Sequence, residues 1–384
     1  MKTKIAIIGG GSASLMLATR LDETKYEITI YEKNKALGRK FLVAGDGGLN
    51  LTHSEPLEEF YKRYTPTSFI EPILRTFSNT DFRAWLVSIG VPTFIGTSKR
   101  VFPEKGIKPI EVLNAIIKVL KHKNVKLVTD YNWHGEEMNS DITIFALGGS
   151  SWKVTGSDGS WTDFFKGKGI EIVPFQASNC VFKVDWPESF TAIAAGLPLK
   201  NISITALDAT KKGEAVITEF GIEGGAIYAL SKQIRQQLNE GKQAVCYIDL
   251  KPTLSIEDLI TALKSKPSNS SMSKYLESTI HLSKAQLALL KNQTTQEDFF
   301  NNEILTKKIK ALPLHITGLG PIDEAISTTG GIALNEIDNN FQFKKWPAHY
   351  AIGEMLDWDA PTGGYLLQAC FSMGYKLAEH LNTL

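Results

Sequence analysis

Ile5-Ala6-Ile7-Ile8-Gly9-Gly10-Gly11-Ser12-Ala13-Ser14, read together with Glu27-Ile28-Thr29-Ile30-Tyr31-Glu32, decides the fold. The apolar run is a strand of the kind buried on both faces, the glycines make a tight turn, and the following residues open a helix. A second strand ends at an acid. This unit is built to hold a dinucleotide: Gly9 and Gly11 let backbone N–H groups approach a pyrophosphate, and the helix N-terminus adds partial positive charge there. Glu32 stands 21 residues after Gly11, a suitable distance for a pair of ribose hydroxyls. Ser14 occupies the place of a third glycine. Because serine is small, slightly looser helix–strand packing is expected rather than a lost site.

The chain has 384 residues, more than one hydrophobic core usually holds, so two or three domains are expected. Apolar residues make up 43 % and charged residues 22 %, the balance of an ordinary globular protein. A formal net charge of +1 gives no whole-molecule attraction to nucleic acid or to an anionic membrane. Cys180, Cys246 and Cys370 stand far apart, which excludes a CxxC relay and fits a reducing cytoplasm. Lys2 and Lys4 precede an apolar stretch as in a secretory signal, but glycines interrupt it and the nucleotide motif accounts for the same residues. No run reaches the roughly 18 apolar residues of a membrane span, and the histidines show no HxH or HExxH spacing, so no metal site is expected.

Helical patterns follow at 67–77, 80–89 and 109–121, and strands at 124–129 and 142–146. From about 176 the pattern changes to alternating strands at 180–184, 199–209 and 213–220, typical of an antiparallel layer or small barrel. A helix over 226–238, a strand over 244–249 and several short helices from 255 to 310 come next, with Ser268–Ser273 as a linker candidate. Thr328–Ile332 reads as a return to the first domain, and a last helix runs from about Gly364 to His380. The nucleotide domain is therefore expected to be split, with halves 1–175 and 325–384 around an insertion.

Two more stretches carry chemistry. Gly38-Arg39-Lys40 and Ala44-Gly45-Asp46-Gly47-Gly48-Leu49-Asn50-Leu51-Thr52-His53 directly follow the ribose-binding acid. Their glycines imply backbone lying close to something flat or charged, and Arg39 can fork to phosphate oxygens. In the C-terminal part, Gly353-Glu354 follows a strand, and Gly363-Gly364-Tyr365 opens the last helix. A second acid there suits the ribityl chain of a flavin, and the helix N-terminus suits negative charge at a flavin's pyrimidine end. His53 is the only candidate proton carrier in these stretches, and a structural hydrogen bond is its commoner use.

These stretches, with Arg100-Val101-Phe102-Pro103, Ala146-Leu147-Gly148-Gly149-Ser150-Ser151-Trp152, Thr155-Gly156-Ser157-Asp158-Gly159 and Gly353-Glu354-Met355-Leu356-Asp357, resemble the YhiN/BaiN-like flavoprotein family, which includes aminoacetone oxidases. The resemblance implies an α/β fold: a Rossmann-like FAD-binding domain (1–175 and 325–384), a β-barrel-like insert (176–250 and 311–324) and a small helical insert (251–310). It implies bound FAD and an NAD(P)/FAD-dependent oxidoreductase. By the same resemblance Gly9, Gly11 and Ser14 line the pyrophosphate and Glu32 takes the adenosine ribose. Arg39 and Lys40 lie along the diphosphate and ribose, and Gly148 belongs to the cofactor site. Gly45, Gly47, Gly48 and Asn50 approach the isoalloxazine or ribityl region. Gly353 and Glu354 meet the ribityl chain, and Gly363, Gly364 and Tyr365 face the flavin. Asp46 departs from the family pattern and puts an anion-binding role of its loop in doubt.

No second GxGxxG unit exists for a resident nicotinamide, so NAD(P)H is expected only as a transient co-substrate. The expectation is hydride transfer between flavin N5 and a small organic substrate or NAD(P)H. Two alternatives stand beside it: an oxygen-dependent oxidase of a small aminoketone, and a flavin-binding regulatory or assembly protein without turnover.

Overall fold

The computed structural model describes residues 1–43, 48–241 and 243–384. Gly45 and Gly47, expected near the cofactor, and Asp46 beside them lie outside the described residues. The chain divides into two units, Met1–Ser178 with Ile322–Leu384, and Asn179–Pro321. The joins expected from sequence stood after 175 and before 325.

Ile5, Ile7 and Ile8 are sealed from solvent because their strand, Thr3–Ile8, lies at the centre of a five-stranded sheet. The order across that sheet is His349–Ala351, Ile142–Phe145, Thr3–Ile8, Tyr26–Tyr31 and Lys126–Val128, and every pairing is parallel. Ile5 pairs with Ile28 and Ile142, and Ile7 with Ile30 and Ile144, so branched side chains stack across neighbouring strands. Residues from both ends of the chain thus share one sheet.

The first helix, Ser12–Arg20, packs on the last helix, Tyr365–Thr383. Contact is close at Gly374, where a Cβ would stand 2.3 Å from the Ala13 carbonyl oxygen. Ser14 is fully buried and its hydroxyl donates to the Gly9 carbonyl, so the serine is satisfied inside the turn it was expected to loosen. Pro109 opens the Pro109–His122 helix, where its missing N–H costs nothing, and Ser78 with Asp81 forms a capping box for Asn79–Ser88. A small antiparallel sheet joins Thr52–His53, Arg100–Pro103 and Thr93–Ile95. Ile172–Ser178 and Ser327–Ile332 form an antiparallel ribbon.

The second unit holds a seven-stranded antiparallel sheet. Its two outermost strands, Leu312–Ile316 and Gly318–Leu319, are separated in sequence only by Thr317. A sheet whose opposite edges are one residue apart in the chain must curl back on itself, the barrel-like form expected here. Five helices between Ile256 and Lys310 belong to this unit. Ser268–Ser273 is no linker: Ser271 caps the Met272–Ser278 helix, accepting from Lys274 N–H at 3.3 Å. Two further expectations shift. The hairpin between Pro198–Ala206 and Ala209–Ile217 turns at Leu207-Asp208, earlier than read, with Leu207 at φ +50°. The helix expected over 226–238 is two, Gly225–Tyr228 and Ser231–Asn239, broken at Leu230.

Candidate functional site

The first unit contains a cavity of about 1030 Å³ at the carboxyl ends of the parallel strands. Such a switch-point crevice is where open α/β sheets hold nucleotides. Gly9, Gly11, Glu32, Gly38, Arg39 and Lys40 all line it. Gly9 has φ +102°, and a Cβ there would stand 2.3 Å from the Ala146 carbonyl oxygen, so the turn is pressed against the neighbouring strand end. At Gly11 a Cβ would meet nothing within 4 Å. Gly11 starts the first helix without a side-chain cap, and no acid stands in the first turn. The helix N-terminus is therefore left open toward the cavity, ready for an anion.

Glu32 is nearly buried, and its carboxylate accepts from Gly10 N–H at 2.8 Å and from the Asn34 amide at 2.7 Å. Arg39 donates to Asn34 Oδ1 at 3.0 Å. Across the cavity Lys40 Nζ lies 2.8 Å from Glu354 Oε2 and 2.9 Å from Ser151 Oγ. Two residues expected at different parts of a cofactor are thus one ion pair joining the start of the chain to its end. Gly148 (φ +76°) and Gly353 (φ +84°) also line the wall, and the Gly148 carbonyl accepts from Trp161 Nε1 at 3.1 Å. Burial works to raise the Asp158 carboxyl, but Lys33 and Ser160 outweigh it and hold the group below the usual carboxylate value. Cys370, buried on the same wall, is pushed well up by burial and stays a thiol.

A glycine cradle, an open helix start, lysines and an arginine beside a carboxylate fit a dinucleotide with sugar hydroxyls and a diphosphate. Ser157 adds a buried hydroxyl on this wall with no hydrogen-bond partner among the described residues. Ser14 does not reach the wall, since its hydroxyl is turned inward to Gly9.

The remaining expected residues gather elsewhere in the same unit. Gly48, Asn50, His53, Gly363, Gly364 and Tyr365 do not line this cavity. Gly364 is seated on the small sheet, where a Cβ would stand 2.6 Å from the Thr52 Cα. Tyr365 was expected to face the flavin, but its hydroxyl is committed to Glu55 Oε1 at 2.6 Å. Arg63 forks the same carboxylate at 3.1 and 2.8 Å. Burial would raise the Glu55 carboxyl, yet Arg63 and Tyr365 together hold it below the ordinary value. Burial and the Glu55 charge push the Tyr365 phenol well up. His53 stacks on Tyr365 with ring centroids 5.3 Å apart, accepts from Glu55 N–H at 3.2 Å and bonds the Ser98 backbone. Burial lowers its pKa and favours the neutral imidazole, which these contacts hold in place as a brace.

Arg100 lies opposite His53 in the strand ladder, with Nε 3.2 Å from where a Gly363 Cβ would be. Among the described residues it has no carboxylate within ion-pair distance. The sequence motifs passed over Asn34, and contained Arg100, Ser151 and Ser157 without assigning them work. The signal for the last was present: its Gly-Ser-Asp-Gly turn follows a central parallel strand, as the first glycine turn does. Among the described residues no group of three or more His, Cys, Asp or Glu side chains is placed to hold a metal ion.

Residues 3–380 match the family described as HI0933-like protein Rossmann domain. The 3-dehydro-bile acid delta(4,6)-reductase of Clostridium scindens is 24 % identical, covering 97 % of this chain and 97 % of its own. The ribosomal RNA dihydrouridine synthase of Haemophilus influenzae is 25 % identical, covering 97 % and 96 %. Among solved structures, the 3-ketosteroid-delta4-(5alpha)-dehydrogenase of Rhodococcus jostii RHA1 aligns with a TM-score of 0.49 at 12 % identity, covering 99 % of this chain and 96 % of that one. The chain belongs to the HI0933-like Rossmann family of flavoproteins and is an FAD-dependent oxidoreductase.

Proposed function

We propose that this protein reduces a carbon–carbon double bond conjugated to a carbonyl in a small molecule, with NAD(P)H as the electron source. One observation carries the reading. The two relatives named above, alike in extent and identity to this chain, are named for different substrates but for one chemistry. A Δ4,6-3-ketone and a uracil ring each present an alkene conjugated to a carbonyl. Saturating it adds hydride to the β carbon and a proton to the α carbon, and negative charge develops on the carbonyl oxygen meanwhile.

FAD, when bound, supplies a two-electron carrier that takes and returns hydride at N5. The chain's own residues bind and orient. The open start of the first helix and Arg39 hold the diphosphate, Glu32 the adenosine ribose, and the Lys40–Glu354 pair the polyol that follows. Arg100 is the residue assigned to the carbonyl oxygen. Among the described residues it is a half-buried guanidinium without an acid partner; it does not line the cavity itself but stands beside Gly363, at the start of the helix whose Leu366 and Leu367 do. A fixed cation at that oxygen lowers the barrier by stabilising the charge that develops there. The near-neutral net charge of +1 favours a small molecule over RNA as substrate.

The test is an absorbance spectrum of the purified protein followed by anaerobic titration. Bleaching of the flavin band by NADH or NADPH, and its return on adding a conjugated enone, is the expected result. Bleaching by a small aminoketone with peroxide release in air would replace this reading with an amine oxidase. Return of colour only with uridine-containing RNA would move the substrate to nucleic acid. A flavin that neither pyridine nucleotide nor amine reduces would leave a binding protein without turnover.

A further inference from the structure

The Thr155-Gly156-Ser157-Asp158-Gly159 turn is fastened to the residues that follow Glu32. Lys33 Nζ lies 2.8 Å from Asp158 Oδ2. Asn34 Nδ2 donates to the Thr155 carbonyl at 3.3 Å. Gly156 has φ +106°, and a Cβ there would stand 2.6 Å from Asn34 Nδ2 and 3.0 Å from Lys33 Cε. A side chain at 156 would push the ends of Asn34 and Lys33 aside, and both hold the turn by their polar tips.

Asn34 is the hub. One amide donates to Glu32 at 2.7 Å and to the turn, while its oxygen accepts from Arg39 at 3.0 Å. The ribose acid, the diphosphate arginine and the turn are therefore mechanically one piece, and all of them line the cavity. Ser157 is 7 % exposed, and its Oγ has no partner among the described residues. It stands 3.0 Å from where a Gly148 Cβ would be, on the cavity wall. A buried hydroxyl left unpaired is costly, and a ligand that pairs with it removes the cost.

We propose that Thr155–Gly159 is a clasp over the nucleotide end of the FAD site, in which Ser157 contacts the cofactor and the Lys33–Asp158 pair is the catch that opens for FAD to leave. The inference needs FAD in this cavity but not the reductase chemistry. The side chains of the pair are 29 % and 32 % exposed, so the catch is partly screened and modest in strength. A modest catch suits exchange of the cofactor on a slow but finite timescale.

The test follows the rise in flavin fluorescence as FAD escapes from diluted holoenzyme without substrate. Lys33→Met is expected to speed escape about 2- to 5-fold at low salt, converging on the wild-type rate near ~1 M NaCl, where the wild-type pair is itself screened. Ser157→Ala is expected to speed escape about 3- to 10-fold at every salt concentration. Asp158→Asn keeps an acceptor for Ser160 N–H but removes the charge that holds Lys33, and is expected to match Lys33→Met at low salt and at high. Unchanged escape in Lys33→Met and Ser157→Ala would overturn the clasp, and so would Asp158→Asn with the escape rate of wild type at low salt. An enzyme that passes this test but ignores enones would leave the clasp standing and remove only the proposed substrate.

Discussion

At Gly9 one methyl group is enough to part the nucleotide turn from its neighbour. The residue has φ +102°, and the added carbon would lie 2.3 Å from the Ala146 oxygen. Gly9→Ala is expected to cost roughly 2–4 kcal/mol in folding stability, from overpacking plus left-handed strain, read as a lower urea midpoint. Gly11→Ala makes the opposite case, because its methyl meets no protein atom within 4 Å. Its stability should stay within about 0.5 kcal/mol of wild type, while FAD affinity falls about tenfold or more as the methyl takes the space of the ligand. Equal FAD binding by Gly11→Ala would remove the pyrophosphate from this turn. Lys40→Met leaves the Glu354 carboxylate, only 15 % exposed, without its cation, and is expected to cost on the order of 1–3 kcal/mol. Gly9, Gly11 and Glu32 were legible because strand, glycines, helix and acid fall within one short local pattern. The Lys40–Glu354 pair was not, since its partners lie 314 residues apart and no local spacing announces it.

Between elements, the two long helices meet where Gly374 lets the Ala13 backbone approach. Gly374→Ala should push them apart and lower stability by about 1–3 kcal/mol, measured by denaturant unfolding. The His53–Glu55 network joins the small sheet to the start of the last helix, and it sets an acid limit. The His53 imidazole is lowered by burial from its ordinary 6.5. As pH falls through that value the unfolded chain therefore binds protons first, and stability present at neutral pH is lost. His349, also lowered by burial, adds to the same stage. The Glu55 carboxyl is lowered too, so its contribution is full above 4.5 and lost below it. The urea midpoint should therefore fall in two stages on acidification, and His53→Gln should shrink the first while leaving the second. A first stage of unchanged size would show that His53 is not held neutral. The strands and long helices were readable from hydrophobic period. The hairpin at Leu207-Asp208 was not, because leucine at φ +50° is no turn signal and the register Ala206–Ala209 imposes it. Nor was the Arg39–Val43 helix, hidden between the glycines at 38 and 45.

Over the whole molecule, a nucleotide unit is assembled from both ends of the chain, and the sequence between them folds as an insertion with its own buried cluster, from Phe182 to Ile316. The expectation of a split rested on a pattern that stops near 176 and resumes at Thr328–Ile332. The curl of the inserted sheet was less visible, since it follows from pairing of strands as short as Phe182–Lys183 and Gly318–Leu319. Every residue lining the large cavity belongs to the first unit. A ligand that binds only the folded form of one unit stabilises that unit by mass action and leaves the other where it was. Calorimetry of the apoprotein should then show two transitions, one for each buried cluster, because two cores need not melt as a single cooperative block. Saturating FAD should raise one transition by several degrees and leave the second within error. Gly11→Ala, which spares the fold but takes the ligand's space, should abolish that rise without moving either apoprotein transition. If FAD raises both transitions together, the cofactor's hold extends into the insertion, and the cavity of the first unit is not the whole of its site.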